Sequence, residues 1–262
     1  MPDAQANGAK FCAAMLLLAL LGACAAPAPK KINLVFSTQE AGAFPGYREL
    51  AQGVAFSYVQ VIILDNPRDR AGRDESATAA YVNGGSGIIV DARGYVVTAA
   101  HIALGTQYAA EVKTTDGRTR KAAIIDVDRA RELALLRVED SAGLQAANFA
   151  APESLKRDDP VLAIGTPDAQ PGVVAVGKVL EARVKKPLRY FDYGYDQALK
   201  LSIEITPGFS GGPVFNRNGE MIGMIASFVL GDLGKANYVS PGIAYAIPAD
   251  AIREYLQRAV PH

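Results

Sequence analysis

From residue 54 to residue 248 the chain consists of short apolar runs separated by turn residues. The run from Ser57 to Leu64 is rich in valine and isoleucine, and comparable runs follow at short intervals. Asp116-Gly117 and Asn218-Gly219 stand between neighbouring runs, and both dipeptides readily adopt the backbone of a tight hairpin turn. The pattern predicts about a dozen short strands and several hairpins.

At the end of the chain the hydrophobic positions recur with a different period. Ile252, Leu256 and Val260 recur at every fourth position, which predicts a helix over 249–260, and Asp250 is expected to cap its first turn. Residues 141–159 interrupt the strand pattern with alanine, proline and charge, so we expect them to connect two halves. Many short strands without intervening long helices favour an all-β architecture of two packed barrels or sandwiches.

The first residues are typical of a targeting segment. Lys10 precedes an apolar run from Phe11 to Leu21 that is too short for a permanent membrane-spanning helix. The next residues complete a tetrapeptide, Leu21-Gly22-Ala23-Cys24, that resembles the lipobox of bacterial lipoproteins. We therefore expect a signal peptide over 1–23, a lipid on Cys24 and a tether over 24–50.

An ordinary secretory signal with an incidental cysteine is the alternative, and both interpretations predict export. If the cysteine is acylated, the protein is anchored to the cell envelope in the bacterial periplasm. Ala25 follows Cys24, which favours the outer membrane in a cell with two membranes.

Composition narrows the function classes. The chain has 262 residues, with 27 basic and 27 acidic side chains, and the balanced charge argues against a nucleic-acid partner. It is long enough to bury a large core without a metal or disulfide framework. We therefore expect no metal ion and no cofactor.

The most distinctive stretch is Gly208-Phe209-Ser210-Gly211-Gly212-Pro213, which places one hydroxyl among small residues. Because glycines permit unusual dihedral angles, successive N–H groups near Ser210 could point into one concavity that holds an oxyanion. Without partners for the serine, the stretch fits equally well a glycine-rich turn between strands.

A serine nucleophile needs a general base, and the chain has two histidines, His101 and His262. His262 is the last residue, and a base must be held in place, so His101 is the candidate. The pattern Gly-x-Ser-x-Gly also fits the nucleophile elbow of α/β-hydrolases. That elbow requires a helix directly after the serine and a histidine later in the chain, whereas Pro213 leads into strand-like residues.

Three motifs in the order histidine, acid, serine resemble those of trypsin-like serine peptidases: Val97-Thr98-Ala99-Ala100-His101, Glu132-Leu133-Ala134-Leu135-Leu136 and the stretch around Ser210. Within that group the chain is most similar to HtrA-type bacterial proteases. This closer resemblance rests on Val161-Leu162-Ala163-Ile164-Gly165-Thr166-Pro167, Asn218-Gly219-Glu220-Met221-Ile222-Gly223 and Gly242-Ile243-Ala244-Tyr245-Ala246-Ile247-Pro248.

The resemblance implies a serine protease domain over 51–262, with two six-stranded β-barrels and the active site in the cleft between them. The first barrel, at about 51–145, provides His101 and Glu132, and the second, at about 155–248, provides Ser210. The N–H groups of Gly208 and Ser210 are expected to form the oxyanion hole.

Glu132 departs from the family motif, which has aspartate at this position. A glutamate can still accept a hydrogen bond from imidazole Nδ1–H if the backbone gives it room. Asp126 and Asp128 are the nearby alternatives, and a surface acid beside Arg131 is the other interpretation of Glu132.

By the same resemblance the primary specificity pocket is formed by residues shortly before the serine and by the strand after it. These are Ile205, Met224, Ile225 and Ala226, which predict an apolar pocket. Glu204 competes with this interpretation, because trypsin-like enzymes place the acid that selects basic substrates six residues before the serine. Strand alternation is expected to turn Glu204 outward.

The predicted function is therefore a lipid-anchored serine endopeptidase that cleaves unfolded or envelope proteins. HtrA-type proteins usually carry a peptide-binding PDZ domain after the protease, and this chain stops at His262. Together with the unusual Glu132, this leaves one alternative, a weak or inactive pseudoprotease that binds peptides or envelope proteins. The oligomeric state is not predicted.

Overall fold

The structure is a computed structural model that describes residues 33–36, 43–65, 79–151, 155–184, 186–228 and 242–261, apart from the side chains of Tyr190 and Phe228. The predicted signal peptide, Cys24 and His262 lie outside the described residues. All described residues belong to one compact unit, Lys31–His262.

The described chain begins with a short strand and a helix, β1 (Val35–Phe36) and α1 (Tyr47–Val54). A closed barrel of six antiparallel strands follows, in the order β2-β3-β4-β7-β6-β5. Its elements are β2 (Tyr58–Leu64), β3 (Tyr81–Asp91), β4 (Tyr95–Ala99), a short helix α2 (Ala100–Ala103), β5 (Ala109–Thr114), β6 (Thr119–Asp128) and β7 (Leu133–Val138).

The described residues of the second half form eight strands: β8 (Pro160–Gly165), β9 (Val173–Glu181), β10 (Leu188–Tyr190), β11 (Tyr193–Tyr195), β12 (Leu199–Ile203), β13 (Pro213–Asn216), β14 (Met221–Phe228) and β15 (Ile243–Pro248). Six of them form a second closed barrel in the order β9-β12-β15-β14-β13-β8, which the pairing of β8 with β9 completes. β10 and β11 form a separate hairpin, and β1 adds to β9 in parallel.

The expected all-β fold with two six-stranded barrels and a C-terminal helix is confirmed. The helix, α3 (Ala249–Ala259), ends within one residue of its predicted end. Pro248, not Asp250, occupies the N-cap position, but within the first turn the Asp250 carboxylate accepts a 3.0 Å hydrogen bond from the Ala251 N–H and another from the Arg183 guanidinium.

Two helices were not expected. The short α2 directly follows β4, and α1 includes residues 47–50, which the sequence assigned to the tether. Ala51 and Val54 of α1 are buried in the hydrophobic core and Tyr47 and Leu50 pack against it, so the helix is anchored on both sides of the predicted boundary at residue 51. No helix in the described segments combines the length and apolar character needed to cross a membrane.

Helix α3 connects the two barrels through one buried tyrosine. Tyr255 is 2% exposed, and its hydroxyl donates a 2.9 Å hydrogen bond to Asp126 of β6. Burial raises the pKa of Tyr255, and the neighbouring Asp126 raises it further, so the phenol stays protonated. The barrels are thus joined on the side where the helix packs.

Candidate active site

His101 and Glu132 come together because the strands next to them are paired. His101 lies in α2, directly after β4, and Glu132 precedes β7, whose Leu133 pairs with Ala99 of β4. A Glu132 carboxylate oxygen forms a short hydrogen bond with His101 Nδ1 and also accepts one of 3.3 Å from the His101 backbone N–H. The histidine ring is therefore held at one nitrogen and by its own backbone.

The backbone of Glu132 explains how a longer acid fits beside His101. Its φ is +57°, in the left-handed region that residues other than glycine seldom adopt, and its side chain is completely buried. This conformation ends the tight reversal between β6 and β7. It directs the carboxylate toward α2, so Glu132 is not a surface acid beside Arg131.

The two nearby aspartates are engaged elsewhere. Asp126 accepts the hydrogen bond from Tyr255, and Asp128 accepts hydrogen bonds from the backbone and side chain of Arg131 at 3.0 and 2.6 Å. Of the three acids, Glu132 is the one in contact with His101.

The second carboxylate oxygen of Glu132 is buried and has no hydrogen-bond partner among the described residues. Tyr195 lies within its electrostatic range: burial raises the pKa of the phenol, and the negative charge of Glu132 adds to the shift. The Tyr195 hydroxyl forms a 2.6 Å hydrogen bond with Ser227. Glu132 is thus buried in the first barrel, with Tyr195 of the β10–β11 hairpin within its electrostatic range.

Ser210 lies in the loop between β12 and β13, and its shape depends on two glycines. Gly208 has φ +104°, and a Cβ there would collide with the Thr166 carbonyl. Gly211 has φ +83°, and a Cβ there would collide with the Ser86 carbonyl. Only glycine meets both requirements, the positive φ and the close backbone approach.

The Ser210 loop is attached to the first barrel beside His101. The Ser86 N–H of β3 donates a 2.9 Å hydrogen bond to the Ser210 carbonyl. A Cβ built on Gly85 would lie 3.0 Å from that carbonyl and 2.9 Å from the side chain of Ile102, which follows His101. The serine loop and the histidine helix therefore meet at one point of β3.

Two of the backbone N–H groups around Ser210 have no acceptor among the described residues. The N–H groups of Phe209 and Gly211 donate to the carbonyls of Thr206 and Ile225 at 3.3 and 2.8 Å. Within the part of the chain that the structure describes, the N–H groups of Gly208 and Ser210 donate to no other residue. These are the two groups expected to stabilise an oxyanion.

Comparison with known proteins identifies the family of the chain. The sequence profile of the trypsin-like peptidase domain matches residues 85–224. The mitochondrial serine protease HTRA2 of Drosophila ananassae is 32% identical over 215 residues, which are 80% of this chain and 46% of that protein. HTRA2 of Drosophila pseudoobscura pseudoobscura is 34% identical over 179 residues, or 67% of this chain and 39% of that protein.

The chain belongs to the HtrA-type trypsin-like peptidases. It spans less than half the length of these curated HTRA2 relatives. A solved structure of the HtrA-type protease AlgW with a decapeptide has the same fold, with a TM-score of 0.66 over 82% of this chain and 68% of that one, at 23% identity.

The residues expected to form the specificity pocket of this HtrA-type chain do not share one surface. Ile205, Met224, Ile225 and Ala226 are each at most 2% exposed. Met224 and Ala226 pack in one hydrophobic cluster, whereas Ile205 and Ile225 pack in another, because consecutive residues of a strand face opposite sides. Glu204 is exposed, as strand alternation predicted.

One aromatic neighbour of the HtrA-type site was missed by the sequence analysis. Tyr193, on the hairpin of β10 and β11, meets the His101 ring edge-on with 6.1 Å between ring centroids. The Arg129 guanidinium lies over the Tyr193 ring, 5.6 Å from the ring centroid. The Arg129 carbonyl accepts a hydrogen bond from the Gly194 N–H. The available signal in the sequence was the concentration of tyrosines in the segment 190–195.

Proposed function

We propose that this chain is a serine endopeptidase in which His101, Glu132 and Ser210 form the catalytic triad. The observation that supports the proposal most is the buried contact between Glu132 and His101 Nδ1, beside the loop that carries Ser210. A buried carboxylate at Nδ1 fixes the tautomer, so that Nε2 is the nitrogen available to accept a proton.

The mechanism follows from these roles. Ser210 Oγ attacks a peptide carbonyl while His101 Nε2 takes the hydroxyl proton, and Glu132 stabilises the resulting imidazolium. The N–H groups of Gly208 and Ser210 donate hydrogen bonds to the tetrahedral oxyanion. His101 then gives the proton to the leaving amine, and a water that it activates hydrolyses the acyl-enzyme on Ser210.

The substrates we propose are unfolded or envelope proteins, bound as extended peptides. This follows from the HtrA-type membership of the chain, and the AlgW structure with its decapeptide is consistent with it. The exposed Glu204 gives no support for selection of basic side chains.

Cleavage of fluorescently labelled β-casein by the full chain in mild detergent tests the proposal. Ser210→Ala should lower kcat by about 10⁶, the effect known for removal of a serine nucleophile. Ser202→Ala, on β12 of the same barrel, should leave kcat unchanged. If the unmutated chain binds casein and does not cleave it, the proposal of an endopeptidase is wrong, and the alternative of a peptide-binding pseudoprotease is supported.

We further propose that the protein is exported and anchored in the bacterial envelope by lipid on Cys24. The support is the apolar leader followed by Leu21-Gly22-Ala23-Cys24. Cys24→Ala should move the protein from the membrane fraction to the soluble fraction, and it should abolish incorporation of radiolabelled palmitate. Equal membrane recovery of both forms, without label, would exclude the lipid anchor.

A further inference from the structure

Three buried hydroxyl groups lie in a row behind the Ser210 loop. Tyr58, Ser86 and Thr166 are 2%, 0% and 4% exposed. Tyr58 and Ser86 belong to the first barrel, on β2 and β3, and Thr166 follows β8 of the second barrel. The triad mechanism uses none of them, although burying an unpaired hydroxyl is costly.

The row ends on the backbone of the loop. Ser86 Oγ donates a 2.7 Å hydrogen bond to the Gly208 carbonyl, which also accepts one of 3.2 Å from the Thr166 N–H. The Ser86 N–H donates at 2.9 Å to the Ser210 carbonyl. One residue of the first barrel therefore holds the carbonyls on both sides of Phe209.

Each hydroxyl has a single proton, and this fixes the direction of the row. Because Ser86 Oγ–H is used on the Gly208 carbonyl, Thr166 must be the donor in its 3.3 Å contact with Ser86. Thr166 then has no proton left, so the Tyr58 hydroxyl donates in its short contact with Thr166 and shares this proton with the Gly165 carbonyl at 3.2 Å. Tyr58 in turn accepts from Gly172 N–H at 3.2 Å.

Two features of the fold favour this direction of the hydrogen bonds. Burial raises the pKa of Tyr58, so its phenol keeps the proton that the row requires. The Thr98 hydroxyl donates 2.7 Å to the Ser86 carbonyl and so fixes the serine backbone. Hydrogen bonds that donate in one direction also polarise one another and strengthen the last bond of the row.

We propose that Ser86, Thr166 and Tyr58 are positioning residues that hold the Gly208 carbonyl and thereby keep the Gly208 and Ser210 N–H groups aimed at the oxyanion. This inference rests on the proposed function, because the oxyanion is that of the serine endopeptidase. Gly208 has φ +104° and no side chain to restrain it, so its peptide needs an external hold. Since the row crosses between barrels, their docking sets the shape of the oxyanion hole.

The test compares Ser86→Ala with Ser57→Ala in the full chain. Ser57 is the matched control, because it is also 0% exposed and its hydroxyl donates 2.9 Å to a backbone carbonyl, that of Val54, outside the row. Both variants should lose similar thermal stability. Ser86→Ala should lower kcat on labelled β-casein about tenfold to hundredfold, with KM nearly unchanged, somewhat less than loss of a direct oxyanion donor.

A second pair of variants tests the next hydroxyl. Thr166→Val keeps the side-chain volume and removes the hydroxyl, and it should lower kcat as Ser86→Ala does. Thr166→Ser keeps the hydroxyl and should retain most of the activity. Equal kcat for Ser86→Ala and Ser57→Ala, or for Thr166→Val and Thr166→Ser, would overturn the positioning role.

An observable independent of cleavage separates this inference from the proposed function. In protein labelled with ¹⁵N-glycine, Ser86→Ala should shift the amide resonances of Gly208 and Gly211, and Ser57→Ala should leave them in place. Unchanged resonances in Ser86→Ala would overturn the inference even in an active enzyme. If the resonances shift and the unmutated chain cleaves nothing, the proposed function is wrong, but the role of Ser86 in positioning the Gly208 backbone is still supported.

Discussion

The two halves of the candidate active site are held together in different ways. His101 and Glu132 stand at the ends of two paired strands of one barrel, and a single hydrogen bond joins their side chains. Ser210 lies in a loop of the other barrel, and its neighbouring carbonyls are held by Ser86 across the boundary between barrels.

Each half of the candidate site is therefore sensitive to a different kind of substitution. The positions of His101 and Glu132 depend on local strand pairing and on the charge of one buried carboxylate. Removal of that charge should therefore cause a large loss of kcat. The conformation of the Ser210 loop depends on the docking of two barrels. Each hydrogen bond removed there should therefore lower kcat by a smaller step. The following variants separate these two dependences.

Loss of the Glu132 charge should have the largest effect. In Glu132→Gln the buried pair loses its charge and the tautomer of His101 is no longer fixed, which costs about 10⁴ in kcat in the serine-histidine-aspartate example. The measurement is kcat on labelled β-casein. Glu139→Gln, an exposed acid at the end of the same strand, is the control and should have wild-type kcat. A Glu132→Gln enzyme within tenfold of wild type would refute the orienting role.

The length of the acid should matter less than its charge. Glu132→Asp restores the aspartate of the family motif but shortens a side chain that the left-handed backbone, φ +57°, directs at His101. We expect kcat to fall about tenfold to hundredfold, as for other displacements of about 1 Å in an active site. Wild-type kcat for Glu132→Asp would show that the backbone there is not adapted to glutamate.

Tyr193 tests whether the hairpin of β10 and β11 also supports the histidine. Its edge-on contact with His101 has the geometry of an aromatic pair, which contributes about 0.5–1.5 kcal/mol. Tyr193→Ala should therefore lower kcat/KM a few-fold on labelled casein. Phe191→Ala is the control, because Phe191 is 99% exposed on the same hairpin. Identical kcat/KM for the two variants would mean that the contact has no catalytic consequence.

The smallest effect on activity is expected far from the cleft, at Asp116 in the turn between β5 and β6. The Arg120 hydrogen bond is the main cause that lowers the pKa of Asp116, with smaller contributions from Thr114 and Arg118. A lowered folded-state pKa stabilises the fold above the unfolded pKa of about 4, and this contribution is lost as pH falls through the folded value.

Asp116→Asn should thus lower Tm at neutral pH and flatten the loss of Tm between about pH 5 and pH 2. Because the Asp116 side chain is 46% exposed, the effect on unfolding should stay below about 1 kcal/mol. Thermal melts across this pH range are the measurement, and kcat at neutral pH should not change. A variant with the same acid-dependent Tm loss as wild type would contradict the assignment.

The first half of the site could be predicted from the sequence because it depends on strand order. His101 ends an apolar strand run and Glu132 begins another, so a pairing of those strands suffices to bring them together. The glycines around Ser210 carry their own signal, since only glycine tolerates φ +104° at position 208.

The contacts that hold the Ser210 loop could not be predicted, because cross-barrel contacts leave no periodic pattern. Tyr58 and Thr166 look like ordinary strand and loop residues, and Ser86 differed only by lying among glycines, as Ser210 does. The residues predicted to form the specificity pocket do not share one surface, for a related reason. Met224, Ile225 and Ala226 were grouped by their position in the chain, whereas a strand turns alternate residues to opposite faces.

The most direct test of the central claim is the site at which a fluorophosphonate probe modifies the full chain. Peptide mapping by mass spectrometry should find one adduct, on Ser210, and the adduct should disappear in His101→Ala and fall sharply in Glu132→Gln. An adduct on another serine, or none on the folded protein, would contradict the claim that Ser210, His101 and Glu132 form a working triad.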